Sequence, residues 1–313
     1  MCGVIINYYD FTMKVLNWVL NILGISSPPS TEYEKIRDGA IENHTSWTYL
    51  NSDECGSSVS SRIVGGKAAT IGQFPWMARL GYIEGGSTLT FQCGGSVISE
   101  RYIVTAAHCV AVPSSMKLTL VRLGEHDTET NPDCNGSFCN DPYVDVNISK
   151  ALKHENYNRY RLFHDIALLR LSRKVNFTNF VKPICLLKSE LLKRTFTGQR
   201  ALTAGWGIYN ITAWQKSTVL QQVMLPVLGH KTCASTYGSH IKKGQMCAGG
   251  EIGRDSCAGD SGGPLMYQES FSHRYYLIGV VSYGPSACGA QNVPAIYTRV
   301  SEYVLWILNN ISP

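Results

Sequence analysis

This chain of 313 residues is poor in charge: Asp, Glu, Lys and Arg make up 16% of it. The net charge of +5 is spread without a long Lys/Arg run, so neither nucleic acid nor an anionic membrane surface is expected as a partner. No apolar stretch is long enough for a transmembrane helix. No two cysteines stand in the Cys-x-x-Cys spacing of a zinc or thioredoxin-like site. No internal repeat is visible, and nothing in the composition marks a disordered chain.

What is present fits a globular, disulfide-bonded protein. Hydrophobic residues make up 44% of the chain, ample for a core, and there are eleven cysteines, an odd count. Asn-x-Ser/Thr triplets at Asn43, Asn135, Asn147, Asn176, Asn210 and Asn310 agree with a secretory route. The expected compartment is therefore oxidising and extracellular. The first twelve residues make a poor signal peptide, but from Met13 a basic start, an apolar run and small residues follow in the right order. Residues 1–27 then read as a leader with its true start at Met13, which would leave an even number of cysteines once Cys2 is set aside. The other reading of the run is a short buried or interfacial helix.

Residues 28–62 are polar, with Pro28-Pro29 and one cysteine, Cys55, and read as a prosegment or light-chain tether. At Arg62-Ile63-Val64-Gly65-Gly66 a basic residue precedes a β-branched pair, a site where a trypsin-like cut would free an α-amino group on Ile63. From residue 63 to 313 the texture is short apolar or alternating runs, at 75–82, 89–93, 102–105, 118–123, 166–171, 201–204 and 275–281, separated by Gly, Pro, Asn and Ser. This predicts an all-β fold of antiparallel sheets closed into barrels or sandwiches. Residues 302–309 have helical spacing and predict a helix at the end of the chain.

The chain is organised around Gly259-Asp260-Ser261-Gly262-Gly263-Pro264. A serine hydroxyl is a weak nucleophile, so this loop needs a base, a group to orient it and donors for an oxyanion; its glycines let backbone amides approach a substrate carbonyl. Thr105-Ala106-Ala107-His108-Cys109 offers the base. Asp165, at the head of the apolar run Ile166 to Leu171, is a carboxylate whose burial demands a hydrogen-bonding partner, and His108 is the natural one.

These motifs, with Ile63-Val64-Gly65-Gly66 and Ala204-Gly205-Trp206-Gly207, occur in the order of the chymotrypsin-like (trypsin-fold) serine proteases, which the chain resembles from Ile63 to its end. Residues 122–134 and 180–185 resemble the arthropod clip-type activating proteases in particular. Their six-cysteine clip module is not found in residues 1–54, whether because this member lacks it or because the sequence is truncated.

The resemblance implies two six-stranded antiparallel β-barrels with a C-terminal helix, and a catalytic triad of Ser261, His108 and Asp165. It implies an oxyanion hole from the amides of Gly259 and Ser261, and an ion pair of Asp260 with the freed Ile63 ammonium after cleavage at Arg62. Asp255 would lie at the base of a pocket for Arg or Lys, with Ser282, Tyr283 and Gly284 pairing with the substrate backbone. The chain departs from the family at Ala295, where a glycine is usual in the pocket wall, at His164, where Asn usually precedes the triad acid, and in the small Ala258 at the rim. A methyl from Ala295 facing the guanidinium would alter Arg/Lys preference.

By the same analogy disulfides join Cys93 to Cys109, Cys233 to Cys247, Cys257 to Cys288, Cys134 to Cys139 and Cys55 to Cys185. Glu125, Asp127 and Asp141 flank a loop that holds calcium in some relatives, making structural calcium the one cofactor to consider. The implied function is a secreted zymogen endopeptidase of an extracellular cascade, with protein precursors as substrates, an upstream activating protease and serpin inhibitors as partners. The rivals are a digestive or venom protease and a non-catalytic homologue that acts as a binding cofactor.

Overall fold

The computed structural model describes residues 30–50, 53–59, 67–210, 212–238, 241–285 and 288–313. The leader with Met13 and Cys2, and Arg62 with Ile63, lie outside the described residues. Helix α1 (Ser30–Glu42) and a 3-10 turn (Thr45–Tyr49) come first, then the short strand β1 (Lys67–Ala68).

The first barrel contains β2 (Met77–Glu84), β3 (Thr88–Val97) and β4 (Tyr102–Thr105), with the single-turn helix α2 (Ala107–Val110) and β5 (Met116–Leu123) after them. A small hairpin, β6 (Cys134–Asn135) and β7 (Phe138–Cys139), precedes β8 (Val144–Lys153) and β9 (Ala167–Leu171). Antiparallel pairing in the order β2-β3-β4-β9-β8-β5 closes the barrel. All four residues of β4 are buried because it runs between β3 and β9. Strand β8 is mostly exposed, which is why it lacks the apolar texture of its neighbours.

The second barrel follows helix α3 (Ser189–Lys193). Its strands are β10 (Arg200–Gly205), β13 (Gln221–Leu228), β14 (Gln245–Gly249), β15 (Pro264–Gln268), β16 (Tyr275–Tyr283) and β17 (Pro294–Arg299). The hairpin β11 (Ile208–Asn210) and β12 (Gln215–Lys216) and helix α4 (His230–Tyr237) lie in its connections. The order β13-β10-β15-β16-β17-β14 closes because β14 pairs back onto β13, along which β1 also runs. Helix α5 (Val304–Asn310) ends the chain and buries Val304, Trp306, Ile307 and Leu308, the face that its helical spacing predicted.

The segment before the barrels is more than a tether. Ile41 is 1% exposed within the main core, Trp47 donates to the Ile41 carbonyl, His44 bonds Asn309 on α5, and Arg37 pairs with Glu302. One isoleucine buried so fully contributes about 1.5–3 kcal/mol, enough to hold a short helix that would not persist alone in water. All five expected disulfides are present, and Cys55–Cys185 ties this segment to the body.

Candidate active site

His108 sits on α2, one turn beyond the buried β4, and Asp165 immediately precedes β9, which pairs with β4. The register of those two strands therefore brings both residues to one end of the first barrel. Asp165 is fully buried and saturated with donors: the His108 amide reaches Oδ1 at 2.8 Å, His108 Nδ1 reaches Oδ2 at 2.8 Å, and Ser282 Oγ reaches Oδ2 at 2.6 Å. With the carboxylate accepting at Nδ1, the neutral imidazole carries its proton there and leaves the Nε2 lone pair bare.

Ser261 comes from the second barrel and is locked against the first. Its carbonyl accepts from Gly94 N on β3 at 2.8 Å, while Gly262 N donates to Val281 O at 2.9 Å. Gly262 has φ of 77°, and a Cβ there would stand 2.2 Å from Thr105 Oγ1 and 2.6 Å from Gly94 O, so no side chain fits between the serine loop and β4. Gly259 has φ of 107° with its Cα face against Gly207, where a Cβ would lie 2.9 Å from Gly207 Cα. Neither the Gly259 amide nor the Ser261 amide donates to an acceptor among the described residues. Unpaired N–H groups on either side of Asp260, whose own amide donates to Cys257 O, can together make an anion-accepting concavity. No hydrogen bond joins Ser261 Oγ to His108 Nε2 in this structure, a contact that commonly tightens only around substrate.

The two other acids of this region are placed quite differently from Asp165. Asp260 Oδ1 accepts from Gly207 N at 2.8 Å and Oδ2 from Cys257 N at 2.9 Å, and the carboxylate fills the space that Cβ atoms on Gly205 or Gly207 would need. Burial raises its pKa, opposed by those two amides and the charge of Lys216. A cavity of about 360 Å³ opens beside it, lined by Gly207, Gln222, Asp255, Asp260 and Cys288 among others. Asp255 Oδ2 accepts from Gly289 N at 3.1 Å, but its Oδ1 is buried with no partner. Burial is the main cause that pushes the Asp255 carboxyl up to about 6; the Gly289 and Ser256 amides hold it down.

Ala295 is 1% exposed on β17, and a Cβ on Gly284 would come within 3.3 Å of its methyl. The methyl thus faces the strand end that carries Tyr283 and Gly284. Tyr283 packs edge-on against Tyr237 at 6.0 Å. A register shift between Val281 and Tyr283 turns Ser282 inward onto Asp165. That hydroxyl, and Thr298 Oγ1 on the Asp165 carbonyl at 2.7 Å, were not foreseen in these roles.

The three acids considered for calcium do not come together among the described residues. Glu125 turns instead to two guanidiniums, Arg122 at 3.4 Å and Arg79 at 3.7 Å. The loop is organised by Asp133, which accepts from the amides of His126 and Asp127 and from Asn140 Nδ2. A carboxylate already neutralised by arginines does not fit a calcium ligand, so the donor set does not suit the ion. The one group of three possible metal ligands among the described residues is Cys93, His108 and Cys109, and its two thiols are spent in a disulfide.

Comparison with known proteins agrees with this geometry. The trypsin family model matches residues 63–307. A CLIP domain-containing serine protease B4 of Anopheles gambiae is 44% identical over 83% of this chain and 73% of its own length. Melanization protease 1 of Drosophila melanogaster is 43% identical over 82% of this chain and 67% of its own. The crystal structure of the Drosophila Grass clip serine protease of the Toll pathway superposes with a TM-score of 0.74 at 37% identity, covering 85% of this chain and 77% of that one. The chain therefore belongs to the trypsin family of serine proteases.

Proposed function

We propose that the chain is the secreted zymogen of an endopeptidase that, once cut between Arg62 and Ile63, cleaves proteins after Arg or Lys. The observation that carries the activity is the His108 ring, pinned by Asp165 with Nε2 bare, beside a serine loop whose amides at 259 and 261 have no internal acceptor. Ser261 Oγ attacks the scissile carbonyl while His108 Nε2 takes its proton. The oxyanion is drawn to the Gly259 and Ser261 amides. His108 then returns the proton to the leaving amine, and water repeats the sequence to release the acyl group. Asp165 keeps the ring in the required tautomer and steadies its charged form.

The unpartnered Asp255 Oδ1 supports a cationic side chain in the pocket, since a buried carboxylate oxygen without a donor is costly until a guanidinium or ammonium reaches it. The Ser282 to Gly284 strand end would pair with the substrate backbone. Asp260, beside a cavity of about 360 Å³, would receive the new Ile63 ammonium, so the uncut chain would be nearly inactive. The relatives named for melanization and the Toll pathway support a place in an extracellular cascade, with protein precursors as substrates, another protease upstream and serpins as inhibitors.

The test is hydrolysis of Arg-, Lys-, Phe- and Ala-ended peptides by the full chain before and after cutting at Arg62, with Ser261→Ala as control. Turnover that appears only after the cut and favours Arg or Lys is expected. A verified Ile63 terminus with no turnover on any peptide would overturn the proposal and favour a binding homologue.

A further inference from the structure

Behind Asp165, away from His108, two imidazoles lie face to face. The rings of His154 and His164 are 4.8 Å apart and within 15° of parallel. His164 Nδ1 bonds the Tyr303 hydroxyl at 3.1 Å, and that phenol stands edge-on to both rings. Trp306 covers the other side of His154 at 5.2 Å. The backbone is tied to the same cluster: His154 N donates to Ile166 O and Ile166 N to His164 O, so both bonds straddle Asp165. His164 itself has φ of 54°, as does Leu162 nearby at 49°, a left-handed pair without glycine that persists only where the surroundings hold it.

We propose that His164 is a positioning residue for Asp165: stacked on His154 and bonded to Tyr303, its ring holds the left-handed backbone that aims the carboxylate at His108, and it does so only while that ring is neutral. This rests on the protease reading of the site. A proton on His164 would charge the ring in a place that water reaches poorly, against the face of a second imidazole. Among the described charged groups nearby, Glu155 Oε2 lies 3.9 Å from His154 Nδ1 and accepts from Trp306, Glu302 and Asp165 act on Tyr303, and Lys242 lies over Phe163 next in the chain. Glu155 favours a proton on His164, but burial outweighs it and keeps the His164 pKa below its usual value. The neutral ring therefore supports the site at and above the ordinary histidine pKa of about 6.5, and the support is lost as pH falls through the ring's own, lower pKa.

Two experiments separate this from the protease reading. In the activated chain, the acid limb of log kcat/KM between about pH 5 and pH 8 should be steeper in the parent than in His164→Asn, whose side chain takes no proton. His164→Ala should lower kcat roughly tenfold with KM unchanged. His164→Asn, which tolerates left-handed backbone and can still bond Tyr303, should recover most of that loss. Equal acid slopes in the parent and His164→Asn, or unchanged kcat in His164→Ala, overturn the proposal. In the second experiment, histidine nitrogen NMR on Ser261→Ala needs no turnover: the His164 ring should titrate below the ordinary value of about 6.5. Titration of His164 at or above that value overturns the proposal, whereas absence of turnover in the cut parent chain counts against the protease reading alone.

Discussion

Two carboxylates, Asp165 fully buried and Asp255 half-buried, are treated in opposite ways. Asp165 receives donors from three directions, two from His108 and one from Ser282, and is held in one orientation. Asp255 has a backbone donor on one oxygen and nothing on the other, and burial raises its pKa to about 6. A saturated carboxylate is an instrument for aiming another group. A starved one stores unsatisfied electrostatic demand that a cation can meet. Asp165 is the more deeply buried of the two and also has the more donors.

The comparison breaks first at Asp165. Asp165→Asn keeps the shape but no longer demands a proton on His108 Nδ1, and kcat should fall by about two to four orders of magnitude with a smaller change in KM. An equal loss in both parameters in steady-state kinetics would mean that the residue only supports substrate binding. At Asp255 the same exchange should have an opposite double effect. Asp255→Asn should cost about two to three orders of magnitude in kcat/KM on Arg and Lys peptides, from removal of one partner of a buried ion pair.

The same variant should be more stable at neutral pH. Because the folded pKa lies above the unfolded value of about 4, Asp255 favours folding when protonated, and that contribution is lost as pH rises through about 6. Asparagine should recover about 1–2 kcal/mol above that pH, discounted for partial exposure, and none below about pH 4. Thermal melts of both chains across this range read the difference, and parallel curves would refute it.

A smaller effect is expected at Ser282. Removing its hydroxyl takes one charge-assisted hydrogen bond from Asp165, so Ser282→Ala should lower kcat about tenfold to a hundredfold while leaving the preference for Arg or Lys unaltered. The smallest change is expected at Ala295. If its methyl narrows the pocket opposite Gly284, Ala295→Gly should raise kcat/KM on Arg peptides a few-fold relative to Lys peptides, as the bulkier cation gains room. An unchanged Arg-to-Lys ratio would show that the wall already accommodates the methyl.

Much of the site was legible because its chemistry is written in contiguous residues. Ser261 needs glycines on both sides for backbone reasons, and His108 needs the buried strand β4 immediately before it, so each appears as a motif. The supports were not legible. Ser282 lies 117 positions from Asp165 and Thr298 lies 133, and neither carries a local mark of its partner. Glu125 misled for the same reason: the acids of its loop are visible in sequence, whereas Arg79, which helps neutralise it, arrives from β2 across the barrel. Residues 30–50 looked like linker because few of them are apolar, yet Ile41 and Leu50 join the core and His44 bonds Asn309 on α5.

The sequence by itself determined the family and the all-β class with its terminal helix. Short motifs, alternation and helical spacing are local properties, and local sterics enforce them wherever they occur. Tertiary structure alone decided which carboxylate is saturated and which is left wanting, which acid turns to an arginine rather than a metal, and which histidines stack behind Asp165. Those outcomes depend on the register of strands far apart in the chain, and donors, charges and rings meet only once the two barrels have closed.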